Sequence, residues 1–225
     1  MLEELFKQIP KKLLKESGEV FYSGKNAFSG KNTFYILGIN PGGSKEDHLN
    51  ETVEKQAKKA IEISKNKADW SEYKDGEWEG RPKGMHVFQK RMKELFEKKL
   101  KLNLYKIPAS NLVFVRSRRE DKYDKCKFKE DSELCWNEFH VKVIQKLESK
   151  IIICLGNTPG NFVRKKLNMY KKPIATLEER NIRKWSTKVY ENDKKQKVIV
   201  IPHPSVSDWT SPECDPSEII LMHIS

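Results

Sequence analysis

Four short apolar runs constrain the fold of this chain more than any other feature. None of them alternates with polar residues, and each is followed directly by small, polar or basic residues; they are Thr33–Leu37, Ser110–Val115, Ile151–Leu155 and Val198–Ile201. A continuous apolar run of this length is typical of a strand buried on both faces, because alternation is lost when neither face meets water. The sequence therefore predicts four buried strands.

The segments between these runs are long enough for helices, which we predict near 46–65, 84–100 and 132–149, and directly after Gly156. Strands that alternate with helices favour a mainly parallel sheet with helices on both faces. We therefore expect a three-layer α/β/α fold with a central four-stranded, mainly parallel sheet, and a small β-hairpin near 180–195. No internal repeat or low-complexity linker divides the chain, so residues 1–225 are expected to form one domain.

The residues that follow the strands predict the position of a site. In open parallel sheets, ligands bind outside the carboxyl ends of the strands. Here those ends continue into Gly38–Ser44, Arg116–Arg119, Gly156–Thr158 and His203–Ser207. We expect these four segments to form one site.

Two side chains in these segments, and one on the strand that precedes Arg116, have chemistry suited to a ligand. Asn40 presents a neutral amide in a loop where Gly42 and Gly43 allow close backbone approach. The loop lacks the Gly-Lys-Ser/Thr ending of a P-loop, so it is not a phosphate cradle of that kind. His203 is held between two prolines, and the amide of Asn111 could read the edge of a base.

Each of these features also has a structural interpretation. The first loop could be an ordinary turn from a strand to a helix, and His203 could be a surface histidine in a proline-rich turn. A buried asparagine on a strand, such as Asn111, usually satisfies backbone groups. The order and spacing of all the segments together carry more weight than any one of them.

The ordered set GINPG, SNLVFVRSR, IIICLGNT and VIVIPHPSV resembles the uracil-DNA glycosylase superfamily. The resemblance covers roughly residues 33–205, mostly at the strand ends. The first loop is similar to those of the mismatch-specific and thymine-DNA glycosylases and of the single-strand-selective branch. The resemblance implies a monofunctional DNA glycosylase, which hydrolyses the N-glycosidic bond of uracil or a related base after flipping it out of DNA.

The resemblance also implies roles for individual residues. Asn40 would position the attacking water, and His203 would donate a hydrogen bond to the base as negative charge develops on it. Asn111 would read the edge of the base, and the backbone at Gly42 and Gly43 would face it. Phosphate contacts would come from a larger group, namely Ser44, Arg116, Arg118, Arg119, Asn157, Thr158 and Ser205.

Three positions depart from the pattern of the superfamily. Gly42 stands where the uracil-exclusive branch has a tyrosine that excludes the thymine methyl, so 5-substituted or otherwise damaged bases become candidate substrates. The aromatic residue that stacks on the base is left open between Trp70, Trp78 and Phe88. Ser207 occupies the usual position of the apolar wedge that enters the duplex, which leaves Val206 or Trp209 for that role.

Charge and cysteine content bear on partners and cofactors. The chain has 44 Lys and Arg against 32 Asp and Glu, a net charge of +12 that favours a polyanionic partner, here DNA. Cys135 lies where the iron–sulfur branch keeps one ligand, but position 115 is Val and no cysteine precedes Cys126, so we expect neither a cluster nor any other cofactor. No apolar run is long enough for a membrane span, and the N-terminus lacks a signal-peptide core, so we expect the protein in the cytoplasm or on the nucleoid. We also expect it to be a monomer.

The alternative from a different class is a binding protein that recognises DNA or a modified base on the same scaffold without cleaving it. Salt-dependent DNA binding without release of a base would distinguish it from the enzyme. An unrelated nucleotide-binding α/β protein is a third interpretation.

Overall fold

The computed structural model describes residues 1–118 and 122–224, and its centre is a mixed β-sheet. Within these residues the sheet has six strands: β1 Phe34–Gly38, β2 Ala109–Asn111, β3 Ile151–Leu155, β4 Ala175–Glu178, β5 Ser186–Glu191 and β6 Lys197–Ile201. The spatial order is β2-β1-β3-β6-β5-β4. The first four strands in this order are parallel to one another, as the apolar runs predict.

The expectation of four strands is wrong, because the antiparallel hairpin expected near 180–195 adds two strands to the same sheet. β5 pairs antiparallel with β6, and β4 pairs antiparallel with β5, so both strands extend the central sheet. The turn at 192–196 connects β5 to β6, where Asn192 N donates to Gln196 O. The sequence showed the turn, but the choice of partner for β5 depends on the exposed edge of β6, which a local pattern does not reveal.

The second strand is shorter than its apolar run predicts. β2 ends at Asn111, and the chain then bonds to the loop after β1: Leu112 N donates to Gly38 O, and Val113 N donates to Ile39 O. On its other side, residues 18–22 run along the same segment, with Gly18 bridged to Val115. This N-terminal segment covers the edge of the sheet.

Eight helices lie in the described part of the chain: α1 Leu2–Phe6, α2 Val53–Asn66, α3 Glu72–Asp75, α4 Val87–Met92, α5 Lys125–Cys135, α6 Val141–Leu147, α7 Asn157–Lys166 and α8 Ser217–Ile224. π-Helical turns extend α4 over Lys93–Lys99 and join α5 to α6 over Trp136–His140. None of these described helices is long and apolar enough to span a lipid bilayer. The helix predicted near 132–149 begins earlier than expected, because the side chain of Asp124 caps it by accepting from Lys127 N.

Two hydrophobic clusters lie on opposite faces of the sheet, because successive strand residues point to opposite sides. In β3, Ile152 and Cys154 belong to the cluster that also contains residues of α1, α2 and α5–α7. Ile151, Ile153 and Leu155 belong to the other cluster, with residues of α4, its π-helical turn and α8. Helices therefore cover both faces, and the carboxyl ends of the parallel strands remain available at one edge.

Candidate functional site at the carboxyl edge of the sheet

Asn111 lies across the end of β1. It is the register partner of Gly38 on the neighbouring parallel strand. A Cβ atom at Gly38 would be 2.1 Å from Oδ1 of Asn111, so glycine is required for the amide to lie there. Although the residue is only 6% exposed, its side chain makes no hydrogen bond among the described residues. Within that part of the chain, Nε of Arg116 is the one fully buried side-chain polar atom without a partner, so the amide of Asn111 keeps contact with solvent.

The amide of Asn40 is oriented by two backbone carbonyl groups. Its Nδ2 donates to Pro41 O at 2.8 Å and to Ser117 O at 3.0 Å. Carbonyl oxygens only accept, so these two partners fix which end of the amide is nitrogen and use both of its hydrogens. Oδ1 accepts no hydrogen bond among the residues that the structure describes. Asn40 therefore offers an oriented acceptor to a water molecule or ligand.

Arg116 holds the first loop from inside the protein. Its Nη1 donates to Gly42 O, and its Nη2 lies 3.0 Å from Oε2 of Glu51. The residue is only 8% exposed, and its Nε is buried without a partner. The prediction that Arg116 contacts a DNA phosphate is wrong for this arrangement, because the guanidinium is turned inward. Its position instead fixes the loop that bears Asn40.

The glycines of the first loop have different surroundings. Gly43 has φ of +88°, and a Cβ atom there would be 2.8 Å from Nε2 of His48, so a side chain is excluded on two grounds. At Gly42 a Cβ atom would meet nothing within 4 Å. The space beside Gly42 is therefore open.

His203 is a neutral hydrogen-bond donor. Its Nδ1 lies 3.2 Å from the backbone N of Ser205 and 2.7 Å from Oγ of that residue. A backbone N–H only donates, so Nδ1 accepts and the ring proton is on Nε2. Burial lowers the pKa of His203 to about 4. At neutral pH the ring is uncharged, and Nε2–H has no partner among the described residues.

The loop that bears His203 is held by side chains from α4 and from the turn after β4. Nη1 of Arg91 donates to Pro204 O at 2.6 Å, and its Nε lies 3.1 Å from Oδ1 of Asp208. Oγ of Ser207 donates to Oε1 of Glu179. Ser207 is buried, and its hydroxyl group connects the loop to Glu179. Its side chain is therefore not available to enter a duplex.

Of the two wedge candidates, only Val206 is accessible. Trp209 is fully buried and donates from Nε1 to Pro202 O at 3.1 Å, so the prediction of a wedge at Trp209 is wrong. A residue that supports the loop from the core cannot enter a duplex. Val206 is 47% exposed and lies three residues after His203.

Among the aromatic candidates, Phe88 lies against His203. Their ring centroids are 5.3 Å apart in an edge-to-face arrangement, and Trp78 packs edge-on to Phe88 at 5.5 Å. Phe88 is positioned by a capping box, in which the side chain of His86 accepts from Phe88 N. Trp70 is buried in the cluster on the other face. Of the three candidates, Phe88 is therefore the one that contacts His203.

The residues predicted to contact phosphate separate into three groups. Arg118 and Asn157 are exposed, and Thr158 at the start of α7 is half-buried. Two serines have roles inside the protein: Oγ of Ser44 accepts from Asp47 N, and Ser205 fixes the ring of His203. Arg119 lies outside the described residues.

Two carboxyl groups near this edge were missed by sequence reasoning. Burial raises the pKa of Glu19, and the negative charge of Glu72 raises it further, while the nearby guanidinium of Arg116 opposes the shift. Glu72 accepts from Nε1 of Trp78 at 2.9 Å, and burial raises its pKa as well. Glu19 lies in a segment rich in Gly, Ser and Asn, where no sequence signal distinguishes it from a surface loop residue.

Together these elements place Asn40, Asn111 and His203 at one edge of the sheet. Neighbouring strands lie about 4.8 Å apart, so β2, which ends at Asn111, and β6, which precedes His203, are separated by three spacings, about 14 Å. The side chain of Asn111 extends over the end of β1 toward His203 and narrows this gap. Among the described residues there is no group of three or more His, Cys, Asp or Glu side chains that could hold a metal ion.

Comparisons with known proteins add no family to these observations. No protein-family model matches the chain, and no curated protein matches it either.

Proposed function

We propose that this protein is a monofunctional DNA glycosylase that hydrolyses the N-glycosidic bond of uracil or a related base. The proposal rests on three hydrogen-bonding groups at the carboxyl edge of the sheet that have no partner among the described residues. Asn40 keeps Oδ1, Asn111 keeps its amide, and His203 keeps Nε2–H. All three side chains are uncharged, and hydrogen bonds orient Asn40 and His203, which suits binding a neutral base that becomes an anion during the reaction.

Binding of the base would use Asn111 and His203. An amide can donate to the O4 of uracil and accept from its N3–H at the same time. Nε2–H of His203 would donate to O2, where negative charge accumulates as the bond to the sugar breaks. Because the pKa of His203 is lowered to about 4, the neutral ring stabilises this charge as a hydrogen-bond donor.

Attack by water would use Asn40. The C1′–N1 bond breaks with its electron pair going to the base, and the oxygen of water bonds to C1′ of the oxocarbenium-like sugar. An amide is a poor base, so Oδ1 of Asn40 would place the water by accepting one of its hydrogens. A proton then passes from the added water to solvent, and the released base anion takes up a proton.

The open space beside Gly42 bears on specificity. A bulky residue there would exclude a substituent at C5 of a pyrimidine, whereas at Gly42 a Cβ atom would meet nothing within 4 Å. We therefore propose that 5-substituted uracils are accepted together with uracil. Phe88, which packs on His203, is the residue we assign to stacking on the base.

DNA is the partner that the proposal requires, and the net charge of +12 supports it. Exposed Arg118 and Asn157 lie at the same edge as the base site and would contact phosphates. The three-layer arrangement of the superfamily is consistent with helices on both faces of the sheet. We propose that the chain acts as a monomer in the cytoplasm or on the nucleoid.

An excision assay tests the proposal. Labelled duplexes and single strands, each with one uracil, hypoxanthine or 5-hydroxymethyluracil, are incubated with the protein and then cleaved with alkali at abasic sites. We expect excision by the wild type and by the control Asn66→Ala, which changes an exposed residue at the end of α2, and strong loss in Asn40→Ala. If the wild type binds these DNAs without excising any base, the non-catalytic binding protein replaces the enzyme; if it neither binds nor excises, both are wrong.

A further inference from the structure

The turn between β4 and β5, residues 179–185, exposes a large apolar side chain at its tip. Ile182 is 99% exposed, more than any other large hydrophobic residue in the described chain. Single exposed apolar residues are common on protein surfaces and carry no meaning by themselves. The position and surroundings of Ile182 are therefore what matter.

The turn lies at the same edge of the sheet as the proposed base site. β4 and β6 are both antiparallel to β5, so they run in the same direction and their carboxyl ends share one edge. The turn also touches the His203 loop directly. Nη1 of Arg183 donates to Val206 O, and Glu179 accepts from Oγ of Ser207. Ile182 and Val206 are thus exposed apolar residues on two adjacent, connected loops.

Internal hydrogen bonds hold the turn in shape. The side chain of Asn181 accepts from Arg183 N at 2.9 Å and donates to Oε2 of Glu179 at 2.9 Å. Glu179 N donates to Trp185 O at 2.7 Å. A turn braced in this way presents Ile182 at a small cost in conformational entropy when it binds.

Three cationic residues lie next to the exposed isoleucine in the turn, although Arg180 also lines a cleft with Glu213 and Glu218. Arg180, Arg183 and Lys184 are all exposed, and none of them forms an ion pair within the described part of the chain. The guanidinium of Arg183 lies 5.1 Å from the ring centroid of Trp185. An apolar tip flanked by unpaired cations matches a partner with an apolar interior between rows of negative charge, which is a stack of bases between two phosphate backbones.

We infer that Ile182 inserts into double-stranded DNA beside the flipped nucleotide, as a second wedge next to Val206. Arg180 and Lys184 contact the flanking phosphates. This inference rests on the proposed function and extends it, because a two-residue wedge has a use only where a base stack must be held open. It makes the protein selective for duplex over single-stranded DNA.

The test compares Ile182→Ser with Ile174→Ser. Ile174 is 52% exposed and precedes β4 at the opposite edge of the sheet, so it is a matched apolar control. The probe is a duplex with a tetrahydrofuran abasic analogue next to 2-aminopurine, whose fluorescence rises on unstacking and requires no catalysis. We expect Ile182→Ser to reduce the rise at least twofold and to weaken duplex binding about tenfold, with binding of the corresponding single strand unchanged. Ile174→Ser should behave as the wild type, and melting curves should show both variants folded.

A fluorescence rise and duplex affinity that are the same in Ile182→Ser as in the wild type would overturn the inference and leave the proposed excision activity intact. An equal loss of single-strand and duplex binding would also overturn it, because the residue would then act as a general contact. If the wild type shows the Ile182-dependent rise but excises no base, the wedge stands and the enzymatic proposal fails.

Discussion

The two loops that bear Asn40 and His203 are held in different ways. The loop at 39–44 is fixed by Arg116 and Ser117, which follow the strand adjacent to β1. The loop at 202–207 is fixed by Arg91 of α4 and by Glu179 after β4, which both lie outside the four parallel strands. One loop is therefore held by buried residues that follow the adjacent strand β2, and the other depends on side chains from a helix and from the turn after β4.

This difference implies that the two loops will respond differently to mutation. Arg116 is buried, so changes there act on folding as well as on the position of Asn40. Arg91 is half-buried and anchors a loop at the surface, so changes there should act mainly on the geometry of His203.

The largest effect is expected from His203→Ala. Loss of a single donor to a developing anion lowers kcat by about 10²- to 10³-fold. The ring packs on Phe88 but lies outside the buried core, so the melting temperature should change little. Single-turnover excision measures the effect, and the exposed-site variant Asn66→Ala serves as the reference. A loss smaller than fivefold would remove His203 from the reaction.

Arg116→Ala should destabilise the protein by about 2 kcal/mol, because charge-assisted hydrogen bonds to Gly42 O and Glu51 are lost. Urea denaturation measures this change. Arg118→Ala, two residues away and exposed, is the matched control and should leave stability within about 0.5 kcal/mol of the wild type. Equal stability of the two variants would show that the first loop does not depend on Arg116.

Arg91→Ala should lower kcat/KM about tenfold with little change in stability. The variant loses the hydrogen bond to Pro204 O, so His203 shifts from its position, and small displacements of a reacting group are costly. Steady-state kinetics together with melting curves measure both quantities. Lys90→Ala, an exposed neighbour on α4, should resemble the wild type. A large loss of stability in Arg91→Ala would contradict the contrast between the loops.

The smallest effect concerns Glu19, whose carboxyl group lies near Arg116. Its pKa in the folded protein is raised above its ordinary value, so the folded state holds this proton more tightly than the unfolded state. Stability from this group is present at low pH and is lost as the pH rises above the ordinary carboxyl pKa. Glu19→Gln cannot ionise, so it should melt about 2 to 4 °C above the wild type at pH 8.

Thermal melting at pH 5, 6.5 and 8 shows whether this difference has the expected sign. It should shrink toward pH 5, where the wild-type carboxyl group is protonated. Glu46→Gln, at an exposed position in the turn after the first loop, should show no such trend. A Glu19→Gln protein that is less stable than the wild type at pH 8 would show that the charged carboxylate is favourable.

The parallel strands and the edge that carries the site could be predicted from the sequence, because each strand is a local apolar run followed by a recognisable loop. The register that pairs Gly38 with Asn111 was not predicted, because the second strand was expected to continue to Val115. Local patterns do not reveal which strands pair with each other. The sequence therefore predicted a four-stranded sheet plus a hairpin, whereas β4 and β5 belong to the sheet itself. They also treat every arginine as exposed, so the inward direction of Arg116 was missed.

Ile182 and Glu19 show the same limit of sequence reasoning. One isoleucine within a polar turn has no periodicity, and its importance depends on contacts of the turn with the loop at 202–207. Burial of Glu19 results from the N-terminal segment packing along residues 109–115, which are distant in sequence. Both features depend on long-range contacts rather than on local composition.

The central claim is that Asn111 and His203 bind one base. The most direct measurement is NMR titration of the ¹⁵N-labelled protein with a duplex that carries one 2′-fluoro-2′-deoxyuridine, a nucleotide that resists hydrolysis because fluorine disfavours positive charge on the sugar. We predict that the Nε2–H signal of His203 and the side-chain amide signal of Asn111 shift together, with one dissociation constant, and that a duplex of the same sequence with 2′-fluoro-2′-deoxycytidine at that position leaves both unshifted. Shifts of neither signal, or of only one, would contradict the account.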